Sequence, residues 1–139
     1  MSVRFRKLHD DATLPQRSSP LAAGYDLFAL MDILVDGMVA VPTGVGLCLA
    51  SNQFGLLCQR SSMPFKRGLF MANTPGVIDA DYVEQIYVQL MPVYGEAVQV
   101  RRGERIAQVV IMEYAGGTCG WTFEQPLLDR GGGLGSTGV

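Results

Sequence analysis

Short apolar runs, each too brief for a helix and rich in β-branched and aromatic residues, recur along this chain about every ten to fifteen residues. They fall at residues 3–8, 25–30, 38–41, 44–50, 55–59, 84–92, 97–100 and 106–113, with Gly, Pro, Asp and Asn between them. The clearest is 85–91, where Ile86, Val88 and Leu90 occupy one set of alternate positions and Gln85, Tyr87 and Gln89 the other. A strand with one face on a core needs that alternation, because successive side chains point to opposite sides. The pattern predicts an all-β sandwich or barrel. Helix is confined to one short turn over 61–68, since Pro64 and Gly68 prevent anything longer.

Length and composition narrow this further. A chain of 139 residues makes one domain able to bury about two-thirds of its unfolded surface. Its apolar stretches are interrupted well before about 18 residues, which predicts no membrane span. The opening residues 1–10 are charged and lack the apolar run of a secretory signal. Cys48, Cys58 and Cys119 have no metal-ligand spacing and read as reduced, so a cytoplasmic protein is expected, or one of the host cytoplasm or nucleus if the gene is viral. The net charge is −2 and the eleven basic residues form no dense run, which argues against a nucleic-acid footprint. With His9 as its one histidine, the chain has no three-histidine metal site. Chemistry here falls to carboxylates and a supplied metal ion.

The last ten residues, from Arg130 through Gly131, Gly132, Gly133, Leu134, Gly135, Ser136, Thr137 and Gly138 to Val139, contain five glycines. Such a segment has a high ordering entropy and little to add to a core. Its backbone N–H groups, two hydroxyls and one guanidinium suit phosphate oxygens, whereas the bland reading is a frayed terminus. The expected organisation is a β domain over 1–129 and a flexible glycine-rich arm over 130–139.

Four other segments carry polar or glycine-rich residues where a plain sandwich needs only turns. Ala22-Ala23-Gly24-Tyr25-Asp26-Leu27 places one carboxylate at a strand entrance, where a turn aspartate is the simpler reading. In Gln59-Arg60-Ser61-Ser62, at the start of the helical turn, an anion clamp and a helix cap are equally good readings. Between Asn73 and Tyr82 a strand-turn-strand pattern with Gly76 suits a hairpin pocket for a flat ring. Asp79 and Asp81, two residues apart in that segment, are read as diverging rather than as an acid–base dyad. Arg102-Gly103-Glu104-Arg105-Ile106-Ala107-Gln108 is a charged turn leading into an apolar strand.

Together, in this order and at these spacings, the five segments resemble the motifs of the trimeric dUTP pyrophosphatases (dUTPases), over more than four-fifths of the chain. The resemblance implies a β jelly roll and a homotrimer with active sites shared between subunits. It implies Mg2+-assisted hydrolysis of dUTP to dUMP and pyrophosphate by water attack in line at the α-phosphorus. That reaction limits uracil incorporation into DNA and supplies dUMP for thymidylate synthesis. By the same resemblance Asp26 would approach the metal through water, and Arg60, Ser61 and Ser62 would hold the phosphates. Asn73, with the backbone of Gly76, Val77 and Ile78, would read the uracil edge. Asp79 would activate the water, Tyr82 would stack under the deoxyribose and Gln108 would assist at the α-phosphate. Arg130, Leu134, Gly135, Ser136 and Thr137 of a neighbouring subunit would close over the nucleotide.

Three features depart from the family pattern, one of them a spacing from Arg130 to Leu134 that is one residue short. Val83-Glu84-Gln85 follows Tyr82 where a glycine-containing charged stretch is usual, and Leu134 stands where an aromatic usually covers the uracil. These departures predict a weaker or differently ordered lid. They leave two alternatives: a dCTP deaminase-like or bifunctional relative, and a dUTPase-like binding or regulatory protein with weakened catalysis.

Overall fold

The computed structural model describes residues 3–128 and 131–133. Within them eleven strands and one short helical turn follow one another: β1 (Arg4–Lys7), β2 (Tyr25–Phe28), β3 (Ile33–Val35), β4 (Val39–Pro42), β5 (Val45–Cys48), β6 (Gln53–Cys58), a π-helical turn (Met63–Arg67), β7 (Leu69–Met71), β8 (Gly76–Ile78), β9 (Tyr87–Pro92), β10 (Val98–Val100) and β11 (Arg105–Glu113). Every pairing is antiparallel. The strands form a four-stranded ladder β2-β11-β6-β8, a three-stranded ladder β4-β9-β7, and the pairs β1-β5 and β10-β3. This is the all-β architecture that the alternating runs anticipate, in the β jelly-roll form that the resemblance implies. No helix among the described residues is long and apolar enough to cross a membrane.

The inward faces close on one core. Leu27 of β2, Val41 of β4, Leu57 of β6, Leu69 of β7, and Ile106 and Val109 of β11 are almost wholly buried together. In β9 and the two residues before it, Ile86, Val88 and Leu90 are buried while Gln85, Tyr87 and Gln89 lie on the other side, half-buried or exposed. Burying an apolar side chain of this size stabilises by about 1.5–3 kcal/mol each, so these alternate positions fix the register of the strands.

Every expected run contains a strand, with no end shifted by more than three residues. Two strands, β3 and β7, lie outside both the expected runs and the expected strand-turn-strand segment, which holds β8. Each is three residues long and owes its extended form to a partner remote in sequence, β10 for β3 and β9 for β7. The strand-turn-strand pattern between Asn73 and Tyr82 is corrected as well. Only Gly76–Ile78 is strand, and the chain turns immediately after it, with the Tyr82 N–H donating to the Asp79 carbonyl at 3.1 Å.

The site depends on the four-stranded ladder. β11 lies between β2 and β6, so Gln108 is paired with Asp26 on one side and Cys58 on the other. The exit of β6 leads through Gln59 and Arg60 into the π-helical turn. β8 lies along the outer edge of β6, with Gly76 opposite Leu57.

Candidate active site

Asp26 is the only buried carboxylate among the described residues, 8 % exposed in the middle of β2. Its placement excludes the turn reading: its backbone N–H donates to the Gln16 carbonyl at 2.7 Å, and its neighbours on the strand pack into the core. A buried charge needs partners, and each oxygen has one. Arg60 Nε lies 3.2 Å from Oδ1 and Arg105 Nη1 lies 3.6 Å from Oδ2. Arg60 also donates from Nη1 to the Arg105 carbonyl at 3.3 Å, leaving other guanidinium N–H groups available.

Gln108 points into the same cluster. Its Nε2 donates to the Gln59 carbonyl at 3.2 Å, and its Oε1 lies so close to Gly24 that a Cβ there would stand 2.5 Å away. Gln59 continues the network: its N–H donates to Thr74 Oγ1 at 3.2 Å and its Oε1 accepts from the Met71 N–H at 2.7 Å. Ser62 occupies the N-cap position of the π-helical turn, yet its hydroxyl makes no capping bond, so of the two readings of this segment the helix cap is not the one realised. Ser61 is exposed and Ser62 half-buried at the edge of the Arg60 cluster.

A second group of residues surrounds a cavity of about 300 Å3 beside β8, of a size for a nucleobase and sugar. Asn73, Gly76, Val77, Ile78, Asp79 and Tyr82 all line it, with Leu57 and Ile86 as apolar wall and Tyr87 and Gln89 beside them. A Cβ at Gly76 would make only ordinary contacts, 3.5 Å from Leu57 Cβ and 3.6 Å from the Asn73 carbonyl, so protein packing alone does not demand glycine there.

The two aspartates do not diverge as expected. Alternation along a strand would in any case put residues two apart on one face, and here a turn places them. Asp79 and Asp81 share a cleft with Ser51, Gln53 and Tyr114, but only Asp79 also lines the ring-sized cavity. Tyr82 is held by its tip, its hydroxyl donating to the Gln85 carbonyl at 2.9 Å. Burial, reinforced by Glu84 and Tyr87 nearby, raises its pKa above the ordinary tyrosine value. Residues 83–85, which depart from the family pattern, are fixed by other partners: the Val83 carbonyl accepts from Arg6 Nη2 at 2.6 Å, and Gln85 Oε1 accepts from the Gly44 N–H at 2.8 Å.

One chain therefore carries two separate groups: Asp26, Arg60 and Gln108 with the Ser61–Ser62 edge, and the Asn73–Tyr82 cavity, whose lining includes none of the first group. Arg130, Leu134, Gly135, Ser136 and Thr137 lie outside the described residues. Arg105, Gln59 and Gly24 belong to the first group but were not singled out in the sequence, because their roles arise only from the β2-β11-β6 register. Among the described residues no three or more His, Cys, Asp or Glu side chains gather as a metal site. Both oxygens of Asp26 are engaged by arginines, so a cation could meet this carboxylate only through water and not as a direct ligand.

The fold and these two groups define a class: a β jelly roll with an arginine–carboxylate cluster and a separate ring-sized cavity. A dUTPase family model matches residues 10–135, and the chain belongs to that family. Among its relatives, the deoxyuridine 5'-triphosphate nucleotidohydrolase of Nautilia profundicola is 36% identical over 142 residues, covering 99% of each chain. The dUTPase of Streptococcus mutans superposes with a TM-score of 0.76 at 34% identity, covering 83% of this chain and 98% of that one. A dUTPase variant from phage phi11 of S. aureus, described with a structural Mg(II) ion, shares the fold at a TM-score of 0.78 and 22% identity over 89% of this chain and 98% of that one.

Proposed function

We propose that this protein hydrolyses dUTP to dUMP and pyrophosphate, with Asp79 as general base for in-line attack of water on the α-phosphorus. The observation that carries the assignment is the shared cavity. All five residues expected at the base and sugar line one space of about 300 Å3, and Asp79 lines it with them. In this reading the Asn73 amide and the backbone of Gly76, Val77 and Ile78 read the uracil edge. Cytosine is rejected because the donor and acceptor at its fourth position are exchanged, leaving buried polar groups unpaired. The absence of a Cβ at Gly76 leaves room for a base to approach the backbone. Tyr82, fixed by its hydroxyl, packs under the deoxyribose.

Phosphoryl chemistry of this kind needs charge neutralisation, positioning and one base. Arg60, Ser61 and Ser62 supply donors for phosphate oxygens. Asp26 and Gln108 are the residues that would hold Mg2+ through water, and that ion would neutralise charge on the phosphates. Asp26 also orients Arg60, so the carboxylate and guanidinium position one another before substrate arrives.

Because one chain keeps the cavity and the phosphate cluster apart, the complete site in this reading forms in a homotrimer, where one subunit's cavity meets another's cluster. The apolar surface supports association: Trp121, Phe123, Leu127 and Leu128 are each at least 90 % exposed on a segment that forms no strand within the chain. Residues 130–139 then serve as the arm that closes over the nucleotide. A pyrophosphate-release assay with dUTP and dCTP, each with and without Mg2+, tests the function. Mg2+-stimulated release from dUTP alone is expected; comparable release from dCTP would refute the assigned specificity.

A further inference from the structure

The segment 61–66 lies between two arginines, and both are anchored to the beginning of β11. On the entry side Arg60 contacts the Asp26 carboxylate and donates to the Arg105 carbonyl at 3.3 Å. On the exit side Arg67 forks onto Glu104, its Nε to Oε1 and its Nη2 to Oε2 at 3.2 Å, while Nη2 also donates to the Gln99 carbonyl at 2.7 Å. Glu104 is itself fixed: its Oε2 accepts from the Arg101 N–H at 3.1 Å, and its backbone carbonyl accepts from the Ala29 N–H at 2.9 Å, just past β2. Adjacent residues of one strand entrance, Glu104 and Arg105, thus hold the two ends of the same turn.

The turn has little to hold it otherwise. It is five residues long, contains Pro64, lacks a side-chain cap at Ser62 and buries only Met63. A two-pronged guanidinium–carboxylate pair fixes direction as well as distance, which a lysine ammonium does not. The pair is partly shielded, with side-chain exposures of 39% and 19% for Arg67 and Glu104. Hydrogen bonding to Glu104 raises the Arg67 pKa, so the guanidinium remains charged. Three residues beyond Arg105 on the same strand stands Gln108, opposite Asp26.

We propose that Arg67 and Glu104 are positioning residues that fix the Ser61–Ser62 turn relative to Asp26 and Gln108, so that its phosphate donors are in place before the nucleotide binds. The proposal rests on the reading that Ser61 and Ser62 contact phosphate. It predicts a loss specific to the phosphate end of the substrate, which general damage to the scaffold would not produce.

The test compares Arg67→Gln, Glu104→Gln, their double variant and Arg67→Lys in the full-length protein. The readouts are dUTP kinetics and binding of deoxyuridine, which carries no phosphate. Each Gln variant should lose roughly 10- to 100-fold in kcat/KM, as expected for misplacement of about 1 Å. The double variant should be no worse than either single one, since both remove the same fork. Arg67→Lys should recover only part of the loss, and deoxyuridine binding should remain within about twofold of the parent. Single variants with parental kcat/KM, additive losses in the double variant, or equal losses for dUTP and deoxyuridine would each overturn the proposal. Ser61→Ala/Ser62→Ala separates the two levels. If it retains parental dUTP binding, the phosphate reading and this proposal both fail; if it loses binding while the Arg67 and Glu104 variants do not, only the positioning proposal fails.

Discussion

Asp26 and Gln108 stand directly opposite one another across the antiparallel pair β2 and β11. The carboxylate is buried and joined to two arginines, while the amide is braced against Gly24 and the Gln59 carbonyl. The register of two strands therefore brings together a negative charge, two positive charges and a directional amide, the ingredients for organising a triphosphate.

Asp26→Asn should cost both stability and activity. It leaves Arg60 and Arg105 without their counter-charge, but both guanidinium groups reach solvent, with side-chain exposures of 26% and 52%, which moderates the loss. About 1–2 kcal/mol in unfolding free energy is expected, below the full cost of breaking a buried pair. Urea unfolding of the variant against the parent measures it, and an unchanged midpoint would show that the ion pairs contribute nothing.

Gly24→Ala tests the brace behind Gln108. The new Cβ would meet Gln108 Oε1 at 2.5 Å and its Cβ and Cδ at 3.2 Å, so the amide must move and its bond to Gln59 is lost. Turnover should fall by roughly tenfold or more through misplacement of a group near the chemistry. Parental steady-state kinetics would mean that the position of the Gln108 amide is immaterial.

Much of this arrangement was legible in the sequence where a physical signal is local. Ile86, Val88 and Leu90 reveal β9 because burial of one face imposes a two-residue period that survives without knowledge of the partner strand. Asp26, Arg60 and Gln108 could be singled out because each is a polar residue at the edge of an apolar run. The strands β3 and β7 could not be read, since three residues carry no period and their extended form is imposed by β10 and β9. Arg105 and Glu104 looked like an ordinary charged turn. Their opposite roles, one toward Asp26 and one toward Arg67, exist only once β11 is laid against β2. The relation of Asp79 to Asp81 was misread because residues two apart on a strand share a face rather than diverge, and the turn after Ile78 likewise leaves both in one cleft.

Tyr82→Phe removes the hydroxyl that anchors the ring to the Gln85 carbonyl. A hydrogen bond of this type contributes about 0.5–1.5 kcal/mol net, so KM for dUTP should rise by roughly two- to tenfold with kcat little changed. In the parent, burial also keeps Tyr82 protonated above the ordinary tyrosine range, so its ultraviolet ionisation step should lie on the alkaline side of the ordinary tyrosine value. A phenylalanine variant with unchanged KM would dismiss the anchor.

Assembly and closure can be separated by removing residues 130–139. Sedimentation should give about three times the 15.0 kDa chain mass for both the full chain and the truncated form. Turnover of the truncated form should nevertheless drop severely, because in the proposed reading the arm excludes water from the nucleotide. A fully active monomer would overturn the shared-site reading, and a truncated form hydrolysing dUTP at the parental rate would overturn the role of the arm.

The central claim is that Asp79 is the base, and Asp79→Asn measured beside Asp81→Asn tests it most directly. The amide keeps the size of the side chain while removing its capacity to accept a proton. Of the two carboxylates only Asp79 lines the cavity that would receive base and sugar. Turnover of dUTP by Asp79→Asn should fall by about 10² to 10⁴, equivalent to about 3 to 5 kcal/mol of barrier. Binding of dUTP with Mg2+ should survive, and Asp81→Asn should remain within a few-fold of the parent. A near-parental rate in Asp79→Asn, or equal losses in the two variants, would contradict the account.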